Sequence, residues 1–356
     1  MIKKVRTNSM LMYIAIVASC LFVNRPATAD FIVSAAERLG PAVNSADPAD
    51  NDWMPRLDAE GLGLTVFRTV KGKFQVWVAL RATKNDPWEP AVRDVAALGP
   101  RPVIPGVTTG DGLEFHGPWY QSPNGYGGLD LYFKVRETMA SSWSAAHNVG
   151  SPVNTPHGEA FPSISPDGLE LYFCDYDYPR PGGNGHMDLW VAHRATRNAP
   201  WQEPQNLGQL VNSEAVDGRA HISADGLALF FDSNRAGGLG GLDLYMTRRK
   251  TITDPWEEAV NLGSVVNSTF GEQNPGISPD GRELYFNRDK DIWQAFVDPV
   301  VDFNADGTLD LTDMVMLIDH WETDDSLFDI GPMPWGDGIV DVEDLKVFIG
   351  LWEKEQ

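Results

Sequence analysis

Short apolar runs recur along the chain and are separated by polar turns. In the clearest stretch, Leu169-Glu-Leu-Tyr-Phe173 follows the turn Ser165-Pro-Asp-Gly168, and Asp188-Leu-Trp-Val-Ala192 comes after a glycine-rich connection. Short β-rich runs of alternating residues between such turns predict strands rather than helices. In the turn, proline presets φ and glycine accepts a positive φ, so each turn is expected to close a hairpin.

This unit occurs five times along the chain. Each copy holds four short strand-like runs, which is the content of one four-stranded antiparallel blade, and a repeat of this kind predicts a β-propeller. The first two copies match less well than the last three. The turn aspartates are spaced 53 to 58 residues apart and are Asp58, Asp111, Asp167, Asp225 and Asp280.

The two ends of the repeat array complement each other. The last copy stops after Asp291-Ile-Trp293, without a fourth strand, whereas Leu39-Gly-Pro-Ala-Val-Asn-Ser45 at the front matches Leu207-Gly-Gln-Leu-Val-Asn-Ser213. A strand within residues 31–40 is therefore predicted to complete the last blade, so that no sheet edge is left free. The predicted fold is all-β, a five-bladed propeller closed by an N-terminal strand.

The Ser-Pro-Asp-Gly, Leu-Tyr-Phe and Asp-Leu-Trp/Tyr signature resembles the TolB-type, WD-repeat-like class of propellers. The resemblance implies this fold for residues 30–298. The first copy departs from it, with Asp58-Ala-Glu-Gly61 in the turn and Gln75 in place of the later aspartate. The fold implies no single activity, because propellers serve as scaffolds, binders and enzymes.

An acidic segment with regularly spaced oxygen-bearing side chains follows the propeller. Oxygen donors stand at positions 1, 3, 5, 9 and 12 of a twelve-residue loop, glycine stands at position 6, and position 7 offers its carbonyl, as a calcium loop requires. A helix with Met314, Leu317, Ile318 and Trp321 on one face is predicted next. The predicted ligands are Asp302, Asn304, Asp306, Thr308, Asp310 and Asp313.

The same plan recurs thirty-one residues later, with a second helix face formed by Leu345, Phe348, Ile349 and Trp352. Met333 and Trp335 occupy loop positions where ligands are needed, so this site is filled only if Asp329 reaches in past a looped-out segment. The predicted ligands of the second loop are Asp329, Asp337, Ile339, Asp341 and Asp344.

Paired calcium loops that each lead into a helix are similar to a type I dockerin, over residues 299–356. The resemblance implies bound Ca²⁺ and docking of the two helices onto a cohesin-like partner, often in polysaccharide-degrading assemblies. The alternative is a stabilising module that binds nothing else.

Four of the five inner strands begin with an acid, at Asp52, Glu159, Asp217 and Glu272. With Arg219 and His221 nearby, they are candidates for a ligand site at one mouth of the central channel. Crowded carboxylates would suit a glycoside hydrolase, which needs an acid and a base. A feature copied in each blade is more often structural, and a cation or ligand contact is a third interpretation.

Composition and the N-terminus restrict the setting. Residues 1–29 have the charged, apolar and small-residue regions of a secretory signal peptide. We expect no segment of the chain to be long enough to span a membrane. A lipoprotein signal with Cys20 as the lipidated residue is a less favoured alternative. The net charge of −22 argues against nucleic acid. Without Cys20, Cys174 stands alone, so no intramolecular disulfide is expected.

We therefore expect a secreted, monomeric and non-enzymatic binding or scaffold protein. One propeller face would recognise a glycan or protein ligand, and the calcium-binding tail would dock or tether the chain. No nucleophile elbow, zinc motif or nucleotide-binding loop is present in the sequence. The alternative is a carbohydrate-active enzyme that the tail brings to a complex.

Overall fold

Five antiparallel sheets follow one another along the chain, as the repeat predicts. In the computed structural model four sheets have four strands and the fifth has five. The structure describes residues 31–94, 106–120, 125–176, 178–304, 306–325, 327–331, 336 and 338–355. The predicted signal peptide, with Cys20, lies outside the described residues.

The first, third and fourth blades each run from a long inner strand to a two-residue outer strand. The second blade has only a two-residue inner strand within the described residues. In chain order the strands are β1 (Phe31–Val33), β2 (Glu37–Arg38), β3 (Asn51–Leu57), β4 (Gly63–Val70), β5 (Lys73–Leu80), β6 (Val92–Arg93), β7 (Val107–Thr108), β8 (Glu114–Tyr120), β9 (Leu129–Val135), β10 (His147–Asn148), β11 (Glu159–Ile164), β12 (Glu170–Asp175), β13 (Leu189–His193), β14 (Gln205–Asn206), β15 (Asp217–Ile222), β16 (Ala228–Ser233), β17 (Asp243–Arg248), β18 (Val260–Asn261), β19 (Glu272–Ile277), β20 (Glu283–Arg288) and β21 (Asp291–Pro299).

The N-terminal segment completes the last blade, which confirms the predicted ring closure. Strand β2 pairs with β21, so that Arg38 lies opposite Trp293, and β1 pairs with the end of the same strand. The Arg38 guanidinium also binds both carboxylate oxygens of Asp291, at 2.6 and 2.8 Å. The fifth blade thereby gains its outer strand, and the all-β five-bladed fold is confirmed.

The turns have the chemistry that their sequence predicts. In the third blade the Asp167 carboxylate accepts hydrogen bonds from the Ser165 hydroxyl at 2.6 Å and the Leu169 backbone N–H at 2.9 Å. Gly168 has a φ of +77°, which a side chain would strain. The second strand that follows is apolar and enclosed, with Leu171, Tyr172 and Phe173 at 0% exposure.

Buried asparagines tie four of the five blades to the connection that leads to the next one. Asn212 accepts the Leu189 N–H and donates to the Leu189 carbonyl, both at 2.9 Å. It therefore acts like one residue of an extra strand. The equivalent asparagines bond the third strands of the second, fourth and fifth blades in the same way and are Asn154, Asn267 and Asn44.

The C-terminal segment forms a small core of its own between two helices, α1 (Leu311–Asp319) and α2 (Val342–Glu355). Helix α1 begins at a capping box between Asp310 and Asp313. It ends before Trp321, so this residue of the predicted apolar face lies beyond the helix. The buried core residues are Phe303, Leu309, Leu317, Phe328, Ile330, Val340 and Phe348.

We predict that Asn212→Ala lowers the free energy of unfolding by about 1 to 3 kcal/mol, because the Leu189 backbone N–H would stay buried without a hydrogen-bond partner, while the Leu189 C=O would keep only the Leu207 N–H at 3.1 Å. Urea unfolding measures the change. Asn198→Ala, at an exposed position of the same blade, is the control and should change stability by less than about 0.5 kcal/mol. Equal effects of the two substitutions would contradict the role assigned to the buried asparagines.

Candidate functional site

The four acids that begin the inner strands are enclosed, with exposures of 0 to 1%. Each accepts a hydrogen bond from the backbone N–H of a serine or threonine in the connection from the preceding blade. The distances are 2.6 Å for Ser45 to Asp52, 3.2 Å for Thr155 to Glu159, 2.6 Å for Ser213 to Asp217 and 3.0 Å for Ser268 to Glu272.

Each of these acids also forms an ion pair with an arginine. The arginine in turn donates to a valine carbonyl in the same connection, so one guanidinium joins the connection to the inner strand. A carboxyl group held in this way has little freedom to act as a base toward a substrate. The pairs are Arg68–Asp52 at 2.5 Å, Arg180–Glu159 at 3.5 Å, Arg235–Asp217 at 2.5 Å and Arg288–Glu272 at 2.6 Å.

Directly after these acids, four inner strands contain a β-bulge. Met54, Phe161, Arg219 and Asn274 have φ values of 49° to 55°, in the left-handed region that non-glycine residues seldom adopt. The pairing with the second strand shifts register at each of these places. A bulge redirects the side chains that follow it, and backbone strain of this kind is frequent at functional sites.

The two remaining mouth candidates have different environments. Arg219 binds the buried Asp232 at 2.9 Å and lies over the Phe161 ring. The pKa of His221 is well below its usual value because the ring is buried, and Arg56 nearby adds to the effect. His221 also lines a cavity together with Arg56.

One face of the propeller is rich in exposed aromatic side chains. The connections between second and third strands, and those that lead to the next inner strand, emerge on this side because strand direction alternates within each blade. We call it the aromatic face. Its exposed residues, with 43 to 69% of their surface accessible, are Phe74, Tyr120, Tyr126, Tyr176, Tyr178 and Phe270.

The first acidic loop is organised by hydrogen bonds to its own carboxylates. Asp302 accepts from the Gly307 N–H at 2.9 Å, and Gly307 has the positive φ of +85° that the turn needs. Asp313, at the start of α1, is buried and accepts from the N–H groups of Asn304 at 3.2 Å and Asp310 at 3.0 Å. Positions 1 and 12 therefore close the loop from both ends.

The second loop repeats this hydrogen-bonding scheme with a different spacing. Asp329 accepts from the Gly338 N–H at 2.7 Å, as Asp302 does from Gly307. Asp344 is buried and accepts from Gly331 at 2.7 Å and from Asp341 at 2.5 Å. Asp329 thus stands in the place of position 1. Asp337 lies outside the described residues.

The loop carboxylates fit calcium by donor type. Asp306, Asp310 and Asp313 form no ion pair with any lysine or arginine of the described residues, so their charge is left without a cationic partner. In the described part of the chain, however, no three His, Cys, Asp or Glu side chains are close enough together to hold a metal ion. The ligand set therefore remains a prediction.

Three features of the propeller were not predicted from the sequence. Asp232, the partner of Arg219, looks like an ordinary second-strand residue. The exposed tyrosines lie in or beside connections whose lengths differ between blades, and the third feature is the set of buried asparagines. The Val-Asn-Ser repeat was the available signal for the buried asparagines. For the tyrosines, aromatic residues in otherwise polar connections were the signal.

Burial affects the titration of Glu159 strongly. Burial raises its pKa to about 8, from the usual 4.5, against the opposing effects of Thr155 and Arg180. Since the folded protein keeps a proton that the unfolded chain releases, the acid's contribution to stability is lost as the pH rises from about 4.5 to 8.

We predict that Glu159→Gln removes this loss, so that the stability of the variant relative to wild type increases between pH 5 and pH 8 by up to roughly 1 kcal/mol per pH unit. Urea unfolding across this range measures the difference, with Glu137→Gln, at an exposed position of another blade, as the control. A constant difference across the range would contradict the raised pKa.

No protein-family model matches the sequence, and no curated protein matches it. In the described part of the chain, no helix has the length and apolar character that crossing a bilayer requires.

Solved propellers do match the structure. A putative TolB from Agrobacterium tumefaciens is 13% identical, with 74% of this chain and 79% of that chain covered and a TM-score of 0.43. The α-L-arabinofuranosidase of Podospora anserina, in complex with cellotriose, is 11% identical, with 76% and 99% covered and a TM-score of 0.49. A thermostable family-43 glycoside hydrolase is 12% identical, with 72% and 92% covered and a TM-score of 0.47. The likeness concerns the TolB-like propeller fold and favours neither binding nor catalysis.

Proposed function

We propose that this chain is an extracytoplasmic glycan-binding protein without catalytic activity, whose calcium-binding tail docks it onto a cohesin-like partner. The observation that carries the proposal is the aromatic face, where exposed tyrosines lie on the side on which the inner strands begin, and the acids at these strand starts are already engaged by arginines. Tyrosine offers a flat apolar ring together with a hydroxyl, which suits a ligand that is apolar on one side and polar at its edges.

The alternative, a glycoside hydrolase, needs two carboxyl groups about 5 to 9.5 Å apart in an open cleft. The inner-strand acids do not meet this need, because each is at most 1% exposed and paired with arginine. Asp232, at 0% exposure, is bound by Arg219 and by the Asn274 N–H in the same way. This arrangement supports binding over hydrolysis.

For the tail, the matching hydrogen bonds of the two loops support calcium binding. Bound calcium would neutralise carboxylates that otherwise repel one another, and so stabilise the entry into each helix. In the first loop Asp302, Asn304, Asp306, Asp310 and Asp313 would hold the ion through side chains and Thr308 through its carbonyl. In the second, Asp329, Asp341 and Asp344 would do so, with the Ile339 carbonyl and with Asp337.

The helices also expose apolar surface suited to a protein partner. Leu311, Val315 and Ile318 are 63%, 47% and 47% exposed, and their spacing places them along one side of α1. On α2, Val342 and Ile349 are 48% and 37% exposed. A cohesin-like domain that covers these side chains would tether the propeller to an assembly.

We predict that the mature protein binds oligosaccharides on a glycan array, and that Tyr178→Ala together with Tyr126→Ala weakens the best binder about tenfold, because two stacking surfaces are lost. Isothermal titration calorimetry measures the change. Phe296→Ala, an exposed aromatic at the opposite end of a third strand, is the control. Release of reducing sugar that disappears in Glu159→Gln or Asp217→Asn would instead establish hydrolysis.

We also predict two calcium sites by titration calorimetry. Asp302→Ala and Asp329→Ala should each reduce the stoichiometry from two to one, or weaken one site on the order of tenfold or more. Asp319→Ala removes an exposed acid of α1 outside the loops and should leave both sites unchanged. One site in the wild type that only Asp302→Ala abolishes would leave the second loop without a role.

A further inference from the structure

Three of the blade junctions share one arrangement of charged and aromatic groups. An arginine at the end of a third strand stacks on a tryptophan of its own blade and reaches a glutamate at the start of the second strand of the preceding blade. The cation is thus paired inside the junction. The pairs are Arg81–Glu283 at 2.5 Å, Arg194–Glu114 at 2.7 Å and Arg249–Glu170 at 2.6 Å.

The junction between the first and second blades lacks this carboxylate. Arg136 stacks over Trp143 at 4.4 Å and donates to the Gly112 carbonyl at 2.9 Å, but it forms no ion pair with any described residue. The position of the missing glutamate is Gly63. A Cβ atom there would lie 2.5 Å from the Asp58 carboxylate, so the Asp58 side chain occupies the space that a side chain at this position would enter.

In the same junction, a lysine occupies a position where the other blades have small residues. Lys134 stands two residues before Arg136, where the other four blades have residues that are 0 to 1% exposed. Burial lowers the pKa of Lys134, and its ammonium group forms no ion pair within the described chain. The residues in the other blades are Ala79, Ala192, Thr247 and Ala295.

A third cation comes from the channel side. Arg56 is 6% exposed and donates to the carbonyls of Pro55, Asn274 and Pro275, at 2.7, 3.3 and 2.9 Å. Among the residues that the structure describes, its Nε atom has no hydrogen-bond partner. Burial lowers its pKa to about 10. A buried cation in this state is stabilised by any anion that reaches it.

All three cations line one cavity of about 540 Å³ between the two blades. Its apolar wall includes Phe67, Val76, Phe115 and Trp143. Acids line the cavity too, but Asp111 is bound by Arg197 at 2.5 Å and Asp58 accepts the Leu62 N–H at 2.8 Å. The other two lining acids are Glu60, which is exposed, and Asp94, which has an interaction of its own.

We propose that this cavity binds a small molecule that carries one carboxylate on a compact ring. The ligand carboxylate would take the place of the missing glutamate between Lys134 and Arg136, and its ring would pack on the aromatic wall. The volume lies within the range of small-molecule sites and exceeds what an inorganic anion fills. None of the exposed aromatic residues that define the aromatic face is among the described residues that line the cavity, so this inference stands independently of glycan binding there.

Calorimetric titration of the mature protein tests the proposal with four probes: D-glucuronate, D-glucose, benzoate and inorganic phosphate. Binding of glucuronate identifies a sugar acid, and binding of benzoate alone identifies an aromatic acid. Glucose and phosphate are expected not to bind. Lys134→Ala should weaken carboxylate binding at least about tenfold, and it should fold because other blades carry alanine there.

Lys84→Ala is the matched control, since it removes a lysine that is paired with Asp280 at another junction; it should leave the affinity unchanged. Lys134→Met keeps the aliphatic stem and replaces the alanine variant if that one unfolds by circular dichroism. The proposal is overturned if neither carboxylate binds, if phosphate binds as tightly as the carboxylates, or if Lys84→Ala weakens binding as much as Lys134→Ala.

Discussion

Pairing of buried polar groups at the blade junctions is the constraint on which the rest of the propeller depends. The connection into each blade must cross the end of the sheets, where its backbone groups are enclosed and would otherwise lack partners. An asparagine, an acid and an arginine meet this need together, as Asn212, Asp217 and Arg235 do in the fourth blade. Breaking one member leaves the others buried and unsatisfied, and the set recurs at the entry to four of the five blades.

This constraint also decides where function can reside. Acids that hold the connections in place are not free to meet a substrate, although their number at the channel mouth suggests catalysis from the sequence alone. Departures from the repeat are more informative than the repeat itself. Gly63 and Lys134 each break the pattern, and Lys134 lines the cavity between the first two blades together with Arg56 and Arg136.

Much of the fold could be predicted because it depends on periodic features. Turn spacing fixed the number of blades, and the displaced Leu39-to-Ser45 segment indicated the closing strand. The partners of the inner-strand acids could not be predicted, because Arg68 and Arg288 lie in second strands whereas Arg180 and Arg235 lie in connections. The exposure of the tyrosines could not be predicted because it depends on loop conformation. The position of Asp329 could not be predicted because it depends on how the residues between Asp329 and Gly338 fold.

Closure of the fifth blade by β2 has a consequence for biosynthesis. Strand β2 must pair with β21, which leaves the ribosome some 250 residues after β2. The ring therefore stays open for most of translation. In an exported chain it stays open until the last blade has crossed the membrane. During that interval an unpaired edge is available to other chains. Early completion of the first four blades as nearest-neighbour units would limit this exposure to a single sheet.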